Sequence, residues 1–130
     1  MPHPHVVSQE LAEELRKLGW PQESLYRHVA FLDYGNGQRL WSPKGWYLVS
    51  KDDQMFWRPR VEEHWCAAPL ASEMLDQMPE YIYVQKRRKT WYCCLQDSEL
   101  DTIPTETAST LPDALAKLAI NLIKEGIIKF

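Results

Sequence analysis

Apolar residues recur at helical spacing near both ends of this chain and at strand spacing between them. Leu11, Leu15 and Leu18 fall at i, i+4 and i+7, so they share one helix face, while Glu10, Glu13, Glu14, Arg16 and Lys17 occupy the remainder. Ser8 stands where a helix N-cap belongs, Gly19 suits a left-handed stop, and Pro21 prevents continuation. Acids come early and bases late, which matches the helix dipole. At the other end Leu111, Leu115, Leu118, Leu122 and Ile123 build a continuous stripe, with Ala114 and Ala119 allowing close approach. Thr110 and Asp113 give a capping-box-like start, Gly126 a stop, and Ile127 the apolar contact that often follows one. A shorter helix is expected over 68–78, with Pro69 in its first turn, Leu70, Met74, Leu75 and Met78 on its buried face, and Pro79 closing it.

The middle of the chain changes period. Residues 25–32, Arg39 to Trp41, Trp46 to Val49 and Met55 to Trp57 read as short strands, separated by turn clusters at 33–38, 42–45 and 51–54. This is the pattern of an antiparallel meander, with Pro59 limiting the last strand. Residues 61–68 read as a connection. Tyr81 to Val84 and Trp91 to Leu95 form the clearest hairpin, and 96–107 an acidic, Thr-rich loop. The expected fold is α+β: one antiparallel sheet, meander plus hairpin, with the N- and C-terminal helices packed on one face. Residues 1–7 are expected to be a flexible arm and 8–130 a single domain.

Composition sharpens this picture only a little. A chain of 130 residues buries roughly 65–70% of its unfolded surface. At 45% hydrophobic and 25% charged it has an ordinary globular balance. Six Trp and six Tyr against three Phe are less ordinary. Such rings carry a polar atom and favour half-buried positions and interfaces, or they simply fill a small core. A formal charge of −3 argues against non-specific attachment to DNA or membrane. Apolar runs fall well short of a membrane span, and no secretory signal pattern is visible. Cys66, Cys93 and Cys94 are an odd set with two adjacent, which reads as cytoplasmic thiols rather than a disulfide framework.

Three stretches together carry a likeness: Leu11 through Leu18-Gly19-Trp20-Pro21-Gln22, the Ala68-Pro69-Leu70-Ala71-Ser72-Glu73-Met74-Leu75 segment closing at Met78-Pro79, and Leu111-Pro112-Asp113-Ala114-Leu115 running to Glu125-Gly126. In that order they resemble small proteins encoded by bacteriophages and prophages, in which a strand-rich middle lies between such helices. That family has no assigned activity, so the resemblance implies a genomic setting rather than a reaction.

Candidate chemistry is sparse. His64-Trp65-Cys66 behind Glu62-Glu63 places metal donors close together, and Cys93 and Cys94 stand ready to join them in space; yet the paired ligands of structural zinc are missing. His3 and His5 suit only adventitious copper or nickel on the arm. Asp52-Asp53 with Glu62-Glu63 suggest a Mg²⁺-dependent hydrolase, although Asp in a turn is common for local reasons. No catalytic residue, metal site or cofactor loop is assigned. Lys86, Arg87, Arg88 and Lys89 at the hairpin tip, followed by Trp91 and Tyr92, are suited to nucleic-acid phosphates and bases, or to guarding the hairpin against edge pairing. Trp41, Trp46, Tyr47, Phe56 and Trp57 lie on neighbouring strands, and an exposed ring patch there would serve a protein partner. The sequence therefore leads to a non-catalytic interaction protein, with nucleic-acid binding at 86–89 as the alternative and self-association through a sheet edge left open.

Overall fold

The computed structural model describes residues 5–30, 32–33, 39–40, 46–53, 56–57, 65–96 and 104–130. Its first helix, α1 (Gln9–Lys17), buries Ala12 and Leu15. Its last, α3 (Leu111–Lys124), buries Leu115, Leu118 and Leu122 completely, together with Ala114 and Ala119. Both end in the same way. Gly19 (φ +94°) donates to the Arg16 carbonyl and Trp20 to that of Leu15. Gly126 (φ +77°) donates to Ile123 and Ile127 to Leu122. This paired closure requires a left-handed residue, which glycine supplies without a Cβ clash. The apolar residue that follows α3 into the core is Ile128, whereas Ile127 is more than a third exposed.

The helix starts differ from expectation. Neither Ser8 nor Thr110 caps its helix with its side chain. Instead the Ser8 N–H donates to Asp113 Oδ1 at 2.7 Å, so the acid of α3 serves the entry to α1. The middle helix α2 (Ala71–Gln77) begins after Pro69 rather than around it, and Glu73 reaches back to the Leu70 N–H (2.8 Å) and to Ser24 Oγ (2.7 Å). Met74 and Met78 are buried as expected, but Leu75 faces solvent, at 40% exposure.

The strands form two three-stranded antiparallel sheets and a small ladder, not one meandering sheet. In the first, β1 (Tyr26–Ala30) lies between β4 (Trp46–Ser50) and β5 (Trp65–Ala67). The ladder joins β2 (Leu32–Asp33) to β3 (Arg39–Leu40). In the second, β7 (Thr90–Leu95) lies between β6 (Ile82–Arg87) and β8 (Thr105–Ala108). Two of these strands fall in segments that read as connection and loop: β5 lies within 61–68, and β8 has all but its last residue in 96–107. Conversely, Phe56 and Trp57 are in a turn, where the Phe56 N–H donates to the Asp53 carbonyl at 3.0 Å.

The architecture is α+β, and the helices fill the space between the inner faces of the sheets. Cys66 of β5 and Cys93 and Leu95 of β7 join the α1 and α3 residues in one core. Val7 belongs to it as well, and Val6 is buried beside it in sequence, which corrects the boundary of the arm. Both are fully buried; the Val7 N–H donates to the Pro69 carbonyl at 2.9 Å, and the Val7 carbonyl lies 2.7 Å from His28 Nε2. Among the described residues no helix is long and apolar enough to cross a membrane.

Candidate functional site

Side chains alternate along a strand, so register decides what each outer face displays. In the first sheet Arg27 and Val29 of β1 share a face with Val49 and Tyr47 of β4 and with Ala67 and Trp65 of β5. Val29, Val49 and Phe56 make a small separate cluster there, with Trp65 packed on it. The Arg27 guanidinium is held between rings, 3.7 Å from the Trp65 centroid, 4.1 Å from Phe56 and 5.4 Å from Trp57. One Nη donates to the Phe56 carbonyl at 2.8 Å, while Nε is buried without a partner among the described residues. Burial lowers the pKa of Arg27, but an arginine stays charged.

The aromatic set is divided between the two faces of the sheet, as strand alternation of Trp46 and Tyr47 requires. Trp46 turns inward and packs half-buried on the main core, because it precedes Tyr47 by one strand position. Phe56 is buried, at 2% exposure. Tyr47 and Trp57 are open to solvent at 52% and 59%, and Trp57 stands edge-on to Phe56 at 4.7 Å. Trp41 lies outside the described residues.

The second sheet presents a more uniform outer face. Ile82, Val84, Cys93 and Leu95 point inward to the core, and Lys86 and Trp91 share their side, with Nζ 5.3 Å from the indole centroid. Tyr83, Gln85 and Arg87 of β6 point the other way, beside Thr90, Tyr92 and Cys94 of β7 and Thr105 and Thr107 of β8. Tyr83 and Tyr92 are exposed diagonal neighbours, at 44% and 37%. Among the described residues none of those on this face is a carboxylate, in a chain with 18 acidic residues.

The run 86–89 is not a tip of four bases. Lys86 and Arg87 are paired strand residues on opposite faces, opposite Trp91 and Thr90, and Arg88 and Lys89 alone make the turn. Arg88 has φ +55° and Tyr81, just before β6, has φ +66°. A left-handed backbone costs a non-glycine residue roughly 1–2 kcal/mol. The sequence points to Tyr92 beside the bases but not to Tyr83, although a signal is there: Tyr83 alternates with Ile82 and Val84, which the core claims.

Metal chemistry finds no support in the geometry. Among the described residues no three His, Cys, Asp or Glu come together to hold an ion. His64, Glu62 and Glu63 lie outside them, as does His3. Burial pushes the Cys66 and Cys93 thiols up to about 12, with Glu13 adding to the effect at Cys66 and Cys94 and Glu106 at Cys93. Thiols held protonated in this way are poor ligands and poor nucleophiles. Asp52 and Asp53 are in the turn after β4. An open groove of about 860 Å³ runs past Lys86 and Trp91 to the starts of α2 and α3.

Comparison with protein-family models, with curated proteins and with solved structures returns no match to this chain. The likeness to phage-encoded proteins gains nothing from them.

Proposed function

We propose that this chain is a non-catalytic binding module whose working surface is the outer face of β6–β8, and that its ligand is single-stranded nucleic acid. One observation carries the reading: Tyr83, Tyr92 and Arg87 stand together on a sheet face with no carboxylate among its described residues, continuous with Arg88 and Lys89. Exposed rings on a flat sheet stack with bases whatever the sequence, each for roughly 1–3 kcal/mol. The bases at the edge engage phosphates. Two stacking rings then outweigh a phosphate term limited to about three contacts, which is how a chain of net charge −3 retains a strand. Fluorescence anisotropy of a labelled oligothymidylate tests the idea. Saturable binding that Tyr83→Ala and Tyr92→Ala each weaken supports it; binding indifferent to both substitutions, or none, refutes it.

A second reading, recognition of a protein partner through the first sheet, draws on the exposure of Trp57 and Tyr47 beside the stacked Arg27. A pull-down from cell lysate with the native chain and with the Tyr47→Ala, Trp57→Ala double variant decides it. Identical partners for both count against this surface.

A further inference from the structure

Strand β6 is bounded at both ends by a left-handed residue that is not glycine. Tyr81 (φ +66°) precedes Ile82, and Arg88 (φ +55°) follows Arg87. The two-residue turn after β6 itself calls for this conformation at Arg88, and at the stops of α1 and α3 the chain meets the same need with Gly19 and Gly126. At the ends of β6 it places a phenol and a guanidinium instead, although glycine would relieve the strain at each.

Packing within the fold does not account for either choice. Among the described residues Tyr81 is the most exposed of the large hydrophobic side chains, at 64%, and Arg88 is exposed. Nor is the Tyr81 backbone loose: its carbonyl accepts the Gln96 N–H at 3.0 Å, continuing the pairing of Ile82 with Leu95. The strain is thus held in place by the sheet, while both side chains stay open to solvent. Strain kept under those conditions points to a role in binding.

We infer that Tyr81 and Arg88 define the two ends of the single-strand site, Tyr81 as a third base-stacking ring and Arg88 as the anchor for the phosphate at the opposite end. This inference rests on the nucleic-acid reading above and adds the limits of the site. The six residues of β6 separate the ends by about 20 Å. A segment of about four nucleotides fills such a track.

The test uses the full chain, a labelled eight-residue oligothymidylate and its uridylate counterpart, with affinity read by anisotropy and thermal midpoint by circular dichroism. Tyr81→Gly and Arg88→Gly are expected to weaken binding roughly five- to twentyfold while the midpoint holds or rises. Tyr81→Phe is expected to bind as the native chain does, since the ring is what stacks. If the native chain binds and Tyr83→Ala weakens it, but both glycine variants bind normally, the ends are wrongly placed and the broader reading stands. A midpoint lowered by more than about 4 °C in both glycine variants, an effect of roughly 1 kcal/mol, also overturns the inference, because the residues then stabilise the fold. Absence of binding by the native chain to either strand removes the broader reading and this inference with it.

Discussion

The backbone N–H of Ser8 donates to Asp113 Oδ1 at 2.7 Å, joining the start of the first helix to the first turn of the last across 105 residues. Asp113 is buried, at 8% exposure. In one contact its carboxylate satisfies a donor at the α1 entry and lies near the positive end of α3. Asp113→Ala removes the acceptor and leaves that donor with nothing, at a cost of about 1–3 kcal/mol. The expected result is a lower chemical-denaturation midpoint at an unchanged m-value. Asp113→Asn, which keeps an oxygen, is expected to lose clearly less. Equal losses for the two variants would mean that charge, not the hydrogen bond, is what matters.

The stripe on α3 and the face of α2 make a sharper pair. Leu118 is fully buried between α1, α3 and the sheets, so Leu118→Ala opens a cavity and is expected to cost about 2–5 kcal/mol. Leu75 belongs by periodicity to the buried face of α2, yet it is 40% exposed. Leu75→Ala is therefore expected to stay within about 0.5 kcal/mol of the native chain. Urea melts of the two variants, read side by side, check both values.

That contrast shows what helical spacing conveys. Over the 14 residues of α3 the stripe repeats often enough to identify the buried face. In the 7 residues of α2 one turn of ambiguity suffices to misplace Leu75. Strand β5 escapes for another reason: Cys66 and Ala67 are both buried, so its three residues show no alternation. Strand β8 escapes because Thr105, Glu106 and Thr107 are all polar. It is retained by β7 and by α3, where Lys117 Nζ donates to the Thr107 carbonyl and Asn121 Nδ2 to Glu106 Oε1. At the site, the bases 86–89 were legible as composition. Which way each faces was not, because a turn of two residues rather than four sets the register. Phe56 reads as a strand residue in the sequence because what places it is distant along the chain, the guanidinium of Arg27 and the cluster of Val29 and Val49.

Arg27 offers a test of how a stacked cation contributes. Its rings favour it by about 0.5–2 kcal/mol, while its buried Nε lacks a partner and costs a comparable amount. The two nearly cancel, so Arg27→Met, which keeps the stem and fills the slot but loses the Nη bond to the Phe56 carbonyl, is expected to cost about 1 kcal/mol. Arg27→Ala removes the packing of the stem on Trp65 and Phe56 and is expected to cost about 2 kcal/mol. A Met variant as unstable as the Ala variant would show that the charge on the rings dominates.

The thiols give a pH signature. Burial raises Cys66 and Cys93 from 9.0 to about 12. The folded state thus favours the protonated thiol more than the unfolded state does. This contribution to stability is complete below pH 9 and is lost as pH rises from there through about 12. A Cys66→Ala, Cys93→Ala double variant is expected to be less stable near neutrality and to show a smaller decline across that window. Thiol titration of the native chain is expected to label half-buried Cys94 first, with Cys66 and Cys93 reacting only on unfolding. Prompt reaction at all three would contradict the burial that raises them.

Salt dependence separates the two ways in which the β6–β8 face is proposed to hold a nucleic-acid strand. With Arg87, Arg88 and Lys89 each engaging a phosphate, log K is expected to fall against log salt with a slope of about −2. Replacing all three by Ala flattens that slope toward zero and leaves a weaker, salt-insensitive remainder due to stacking. Tyr92→Ala does the reverse, lowering affinity by about 1–3 kcal/mol at every salt concentration with the slope unchanged. The two variants act on independent terms, so their combination is expected to be additive within about 0.5 kcal/mol. A slope that Tyr92→Ala changes and the triple variant does not would place the phosphate contacts elsewhere on the protein. The absence of carboxylates among the described residues of this face would then be incidental to binding.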